Sequence, residues 1–261
     1  MPCRAAVVIP AYNAARELPR AVASVRTSAA RAADYGIDLA LDLVIVDDAS
    51  PDGAAETAEG LLADLPGGIS GTVVRHAHNL GAGPARDSGV AATDAELIFF
   101  LDADDEYLPS HIPECLSTLL SDPGLGYVWT RRVWEIPIHD SWSTLLDRST
   151  VMNLCIRRDW HLRAGGFPRH PDFRDHGYED SFYRRVLFKL VPGMFIDEPT
   201  VRFHIRPGST QDCMADKITR PHAESYREPS DRMPTDAMIA EFETRIAAAA
   251  ALRAEIVASG G

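Results

Sequence analysis

Lysine is nearly missing from this chain: of 26 basic residues only Lys189 and Lys217 are lysines. Recognition of phosphate by cationic side chains therefore falls to arginine or to a metal. Acidic residues outnumber basic ones 38 to 26, and the net charge is −12. That balance argues against a nucleic-acid partner and gives no reason for attraction to an anionic membrane surface. Cys3, Cys115, Cys155 and Cys213 are scattered without CxxC spacing, so neither a zinc site nor a disulfide framework is indicated. No apolar run approaches membrane-spanning length, and the stretch from Met1 to Pro10 is too short for the apolar segment of a signal peptide. No repeat recurs at solenoid spacing. No GxGxxG follows the first apolar run, which removes a dinucleotide dehydrogenase. A reducing, cytoplasmic setting is the expectation, with peripheral access to a membrane if the acceptor is lipid-linked.

What is present is enough apolar chain for a sizeable core: 261 residues, 46% hydrophobic. Strand-like and helix-like stretches alternate. Ala5–Ile9 predicts a strand, followed by a helix with Leu18, Val22 and Val25 on one face. Pro19 fits only the first turn of that helix, so it starts near Arg16–Leu18. Leu41–Val46, Thr72–His76 and Leu97–Leu101 predict further strands, with helices over Ala54–Ala63 and Pro84–Ala92 between them. This βαβαβαβ order implies an α/β fold with a mostly parallel, Rossmann-like central sheet flanked by helices.

After Asp105 the pattern changes. A helix is predicted over Pro109–Leu120. Strands over Tyr127–Val133 and Val151–Ile156 are separated by an irregular aromatic stretch. A helix over Glu179–Leu190 precedes two short strands, Met194–Ile196 and Val201–Ile205. Met214–Pro234 is rich in proline and charge and reads as a loop. Asp236–Ala258 predicts an alanine-rich C-terminal helix with Ile239, Phe242, Ile246 and Ile256 roughly along one side. That stripe calls for a covering surface; a homodimer through this helix is the first expectation, docking on the same chain the second. The expected division is residues 1–106 and 107–213 as two halves of one domain, then 214–261 as linker and helix.

Asp102-Ala103-Asp104 begins where the apolar run Leu97–Leu101 ends, hence at the carboxyl end of a buried strand, where open α/β sheets bind ligands. Paired carboxylates there repel unless a cation joins them, and hard oxygen ligands suit Mg²⁺ or Mn²⁺; a solvated acidic turn is the plain alternative. Three more loops end strands on the same edge: Pro10-Ala11-Tyr12-Asn13, Asp47-Asp48-Ala49-Ser50, and the glycine-rich run from Gly81 to Arg86 and Asp87. Each alone reads as a turn or a helix cap, but all four on one edge point to a site.

Together with Gly165-Gly166-Phe167 and Tyr178-Glu179-Asp180, these motifs resemble the family 2 glycosyltransferases, over roughly Ala5 to Gly208. The resemblance implies the GT-A fold, a nucleotide-sugar donor (UDP- or dTDP-linked), a divalent metal, Mn²⁺ or Mg²⁺, and transfer with inversion at the anomeric carbon. It implies an acceptor of small-molecule, glycan or lipid-linked type. Under it, Pro10, Ala11, Tyr12, Asn13, Asp47, Asp48, Ser50, Gly81, Arg86, Asp102 and Ala103 hold the nucleotide. Tyr12 stacks on the base, Asp47 or Asp48 accepts its ring N–H, and Arg86 donates to a base carbonyl or to phosphate. Asp102 holds ribose or a metal-bound water, Asp104 ligates the metal, and Asp180 is the general base with Glu179 beside it.

One segment fits the family in two registers. Anchored on Arg202, a metal-binding histidine is His204; anchored on Pro207-Gly208-Ser209, its place falls to Arg206, which would then meet the diphosphate. Two rivals remain at this stage: a nucleotide-sugar binding protein without catalysis, against which Asp104 and Asp180 both stand, and a haloacid-dehalogenase-type phosphatase using Asp102 as nucleophile.

Overall fold

Strands β1 (Cys3–Ala11), β2 (Leu39–Asp47) and β4 (Leu97–Phe100) carry apolar residues without alternation, because both faces of the sheet are covered. The computed structural model describes residues 2–205, 218–219 and 233–259. Ala5, Val7 and Ile9 of β1 face one core layer, with Leu18, Val22 and Val25 of α1 (Leu18–Ala30). Ala6 and Val8 face the other, with Ala85 and Val90 of α3 (Ala82–Ala91). Helix α3 lies so close to β1 that a Cβ on Gly89 would stand 2.2 Å from Val8 Cγ1, so only glycine fits there. Between these elements lie a 3₁₀ turn (Arg31–Tyr35), α2 (Ala54–Leu62) and β3 (Ile69–Arg75).

The second half adds β5 (Glu106–Tyr107), α4 (His111–Ser121), β6 (Tyr127–Trp134), α5 (Asp140–Ser149), β7 (Leu154–Arg157), α6 (Arg158–Arg163), α7 (Asp172–His176), α8 (Glu179–Leu190) and β8 (Gly193–Phe203). The eight strands form one sheet in the order β3-β2-β1-β4-β7-β6-β8-β5. Strands β1–β4 are mutually parallel, β7 runs against β4 and β6, and β8 returns parallel to β6. All four ligand-type loops therefore leave one edge.

Two sequence expectations change here. The paired short strands over Met194–Ile196 and Val201–Ile205 are one strand, β8, which keeps pairing with β6 through register shifts around Arg131. A bulge absorbs the polar Asp197-Glu198-Pro199 interruption. The irregular aromatic stretch contains α5, started by His139, whose ring accepts from Ser141 N.

The C-terminal helix, α9 (Asp236–Ala258), has the predicted bounds. The helix docks on its own chain: α9 packs on α8 and α7, Met238 and Ala249 are buried, and the Phe242 ring stands 4.5 Å from that of Phe182. This docking takes up part of the apolar stripe: Phe242, Ile246 and Ile256 are half-buried, and Ile239 is 41% exposed. Arg245 fixes the docking by donating to the carbonyls of Gly165, Gly166 and Phe167, and Glu241 accepts from the backbone N–H groups of Arg169 and His170. Arg245→Ala is expected to cost about 1–3 kcal/mol, since several charge-assisted bonds are lost at once. Urea denaturation checks it; an unchanged midpoint would mean that apolar contact alone holds the helix.

Candidate active site

The loops after β1, β2 and β3 are laced together by their own polar groups. Asp47 Oδ1 accepts from Ser50 N at 3.2 Å, while Ser50 Oγ donates to Ala11 O and accepts from Asn13 N. Asp48 is buried and reaches the next loop: it accepts from Leu80 N at 2.9 Å and from Gly81 N at 2.8 Å. His76 links Asp48 (2.7 Å) to Ser88 on α3 (2.9 Å), a contact the sequence reading missed. Asn13 and Ala49 hold these turns in the left-handed region, with φ of 53° and 61°, and Tyr178 does the same, φ 71°, just before Glu179. For residues with a Cβ that conformation is costly, and such strain collects at functional sites.

These loops wall a cleft of about 1610 Å³. Pro10, Ala11, Tyr12, Asp48, Gly81, Arg86, Asp102, Ala103, Asp104, Glu179 and Asp180 all line it. Asn13, Asp47 and Ser50 are not in the wall but shape the turns that form it, and Arg206 lies outside the described residues. Of the two candidate base-reading carboxylates, Asp48 is the one at the cleft. Tyr12 is 47% exposed, open to a planar partner.

Arg86 organises the centre. It is 2% exposed and divides its fork: Nη2 donates to Asp102 Oδ1 at 2.6 Å and Nη1 to Asp180 Oδ1 at 2.7 Å, with Glu179 Oε1 at 3.6 Å. Its guanidinium also stands 5.3 Å from the Phe167 ring centroid, in the loop that Arg245 secures. Burial would lower the pKa of Arg86, but the charges of Asp180, Asp102 and Glu179 outweigh it and hold the group cationic. Asp180 is pushed up to about 7, first by burial, with Glu179 and Asp102 adding to the rise and Arg86 opposing it. Glu179 is raised as well, mainly by burial and against the pull of Arg86. A carboxylate near 7 with its side chain 17% exposed is suited to taking a proton at neutral pH.

At the end of β4, Asp102 and Asp104 present hard oxygen to the same cleft, and the Asp104 carbonyl is held by Arg20. Asp105 is fully buried, accepts from His204 N, and has its pKa raised by burial and by its two acidic neighbours. Among the described residues no group of three or more His, Cys, Asp or Glu side chains is placed to hold a metal. The donor set suits Mg²⁺ or Mn²⁺ all the same, because these ions take one or two protein carboxylates and complete their shell with phosphate and water oxygens. His204 is not in the cleft wall: Nδ1 meets Glu135 Oε1 at 2.6 Å and Nε2 lies 3.5 Å from Glu106 Oε1.

The opposite half of the cleft is built from Arg132 and Trp134 of β6, Trp142, Leu145 and Arg148 of α5, Arg185 and Phe188 of α8, and Ile239, Phe242 and Glu243 of α9. Trp134 and Trp142 thus both reach the cleft, though Trp142 is only 5% exposed. Asp175 and His176 line it too, and His139 caps α5. The participation of α9 was not legible in the sequence.

The chain and its fold have counterparts among known proteins. Residues 6–175 match the family described as Glycosyl transferase family 2. The succinoglycan biosynthesis protein ExoU of Rhizobium meliloti (strain 1021) is 34% identical over 226 residues, 82% of this chain and 56% of that protein. The uncharacterized glycosyltransferase YibD of Escherichia coli (strain K12) is 27% identical over 161 residues, 61% of this chain and 43% of that protein. The chain spans about half the length of these relatives. Among solved structures, S. aureus TarS 1-349 in complex with UDP-GlcNAc superposes with a TM-score of 0.68 at 14% identity, covering 97% of this chain and 71% of that one. Mannosyltransferase PcManGT from Pyrobaculum calidifontis, in complex with GDP-Man and Mn²⁺, gives 0.63 at 16%, covering 100% and 77%.

The architecture is the GT-A fold of nucleotide-sugar glycosyltransferases. The chain belongs to glycosyl transferase family 2 and carries that family's glycosyltransferase domain. Membership sets aside the phosphatase alternative for Asp102. The matched segment ends at residue 175, so the case for Glu179 and Asp180 rests on their geometry. Among the described residues, no helix is long and apolar enough to cross a membrane.

Proposed function

We propose that this chain moves a sugar from a nucleoside-diphosphate sugar to an acceptor hydroxyl with inversion, using Asp180 as general base. The observation that carries the reading is the divided fork of Arg86, which joins Asp102 of the donor side to Asp180 within one cleft. The nucleotide lies against Tyr12 and the loops of Pro10–Ala11 and Gly81. Asp48, or Asp47 after a local shift, accepts the ring N–H of a uracil or thymine base, which favours a UDP- or dTDP-linked donor. Asp102 faces the ribose or a metal-bound water, Asp104 faces the metal, and either His204 joins Asp104 at the metal or Arg206 meets the diphosphate. Asp104, with Asp102 beside it, would hold a Mn²⁺ or Mg²⁺ ion, whose charge would neutralise the diphosphate and make it a better leaving group.

The acceptor, a small molecule, glycan or lipid-linked sugar, enters along Trp142 and α9. Its hydroxyl oxygen forms the bond to the anomeric carbon as the bond to the diphosphate breaks, and its proton passes to Asp180. Glu179 orients the acceptor or the start of α8.

Asp104→Ala is expected to abolish metal-dependent donor binding. The backbone carbonyl held by Arg20 survives the change, so the loop keeps its course while a hard oxygen ligand is lost. Calorimetric titration of UDP with Mn²⁺ is the measurement, and wild-type affinity in the variant would refute the metal assignment.

A further inference from the structure

One guanidinium in the cleft wall has most of its donors unanswered. Strand β6 carries two adjacent arginines, and strand alternation sends them opposite ways. Arg131 is exposed and pairs with Asp197, whereas the side chain of Arg132 is 0% exposed. Arg132 Nε donates to Asp147 Oδ1 at 3.3 Å, and the same oxygen accepts from Arg132 N at 3.2 Å. Nη1 and Nη2 meet no acceptor among the described residues. A carboxylate that fully satisfied this arginine would meet its fork with two parallel bonds; Asp147 meets only its edge. The guanidinium stacks 4.5 Å from the Trp134 ring and 5.6 Å from that of Phe203, and Trp134 Nε1 is also buried without a partner.

Arg184 provides a contrast. Its Nη1 and Nη2 are equally unanswered, but it is boxed by the rings of Tyr127, Trp129 and Phe188 and is not in the cleft wall. Arg132, Trp134 and Phe203 line the same cleft as Asp102, Asp104 and Asp180. A buried cation with open donors is costly to keep, and an anion is what answers it.

We propose that Arg132, with Trp134 Nε1, forms a subsite for an anionic group of the donor, its second phosphate or a carboxylate on its sugar. The inference rests on the donor reading above. Arginine suits the task because its fork matches both anions and stays charged when buried.

The test is calorimetric titration of wild type and Arg132→Met, with Mn²⁺ present. The probes are UDP against UMP, GDP against GMP, dTDP against dTMP, and UDP-glucuronate against UDP-glucose. If the phosphate is the ligand, the variant loses about 10- to 100-fold in affinity for the diphosphate that wild type binds and keeps its affinity for the matching monophosphate. If a sugar carboxylate is the ligand, the loss of that size falls on UDP-glucuronate and spares UDP-glucose. Unchanged affinities throughout, or equal losses for monophosphate and diphosphate, overturn the subsite and leave the donor reading standing. Should wild type bind no nucleoside diphosphate, the donor reading fails and the subsite with it. If the single variant does not fold, Arg132→Met with Asp147→Asn carries the same comparison, because it leaves no buried carboxylate without its counter-charge.

Discussion

Asp180→Asn is expected to lower kcat by about two or more orders of magnitude, the scale that general-base catalysis supplies. Donor affinity should change little. Asparagine keeps the size of the side chain, and its carbonyl oxygen can still accept from Arg86 Nη1, so the fork that also holds Asp102 stays in place. What is lost is the capacity to take the acceptor's proton. In the wild type kcat/KM should rise with pH through about 7, the value to which burial lifts Asp180, because only the ionised form can act as base. That acidic limb should vanish in the variant, and Glu179→Gln should be milder. If Asp180→Asn retains most of its transferase activity, the base is another carboxylate or imidazole of the same wall, with Glu179, Asp175 and His176 as the candidates.

Arg86→Met should have the largest effect on the fold itself, about 3–5 kcal/mol near neutral pH, because removing one partner leaves buried charges unanswered. The pH dependence identifies the cause. Asp180 and Glu179 already titrate above the ordinary carboxylate range, and Arg86 is the group that restrains the rise. Without it both would climb further, so the folded state would hold more protons than the unfolded chain across the span from the ordinary carboxylate range to above 7. Stability then falls as pH increases through that span and returns on acidification. Urea denaturation at pH 5.5 and pH 8 measures it: the penalty should be clearly larger at pH 8. Equal penalties at both values would show that lost packing against Phe167, not charge, is responsible.

The half that ends with β4 was legible because its physics is local. Buried parallel strands read as unbroken apolar runs, and the carboxylates, glycines and Pro19 that punctuate them sit at fixed offsets from those runs. The second half is less local. The Asp197-Glu198-Pro199 interruption looks like a break between strands until β6 is seen pairing on both sides of it. The α9 stripe announced that something must cover it but not what, since α8 carries no mark of the partner it receives. Arg86 was read as a nucleotide contact; its role as the tie between Asp102 and Asp180 depends on a fold-back of 94 residues. Arg132 left one usable signal, a basic residue sharing strand parity with Thr130, which is fully buried.

Asn13, Ala49 and Tyr178 bear on how this protein would respond to selection for heat resistance. Each left-handed non-glycine residue costs the native state about 1–3 kcal/mol, and glycine would relieve the strain without clash at the backbone. A thermal screen would therefore be drawn to the turns beside the cleft. Tyr178 contributes its own ring there, against Phe182, and all three residues set where the neighbouring loops point. The easiest gains in heat tolerance would thus come from softening the parts whose rigidity shapes the cleft, so melting temperature and turnover are set to diverge along that path.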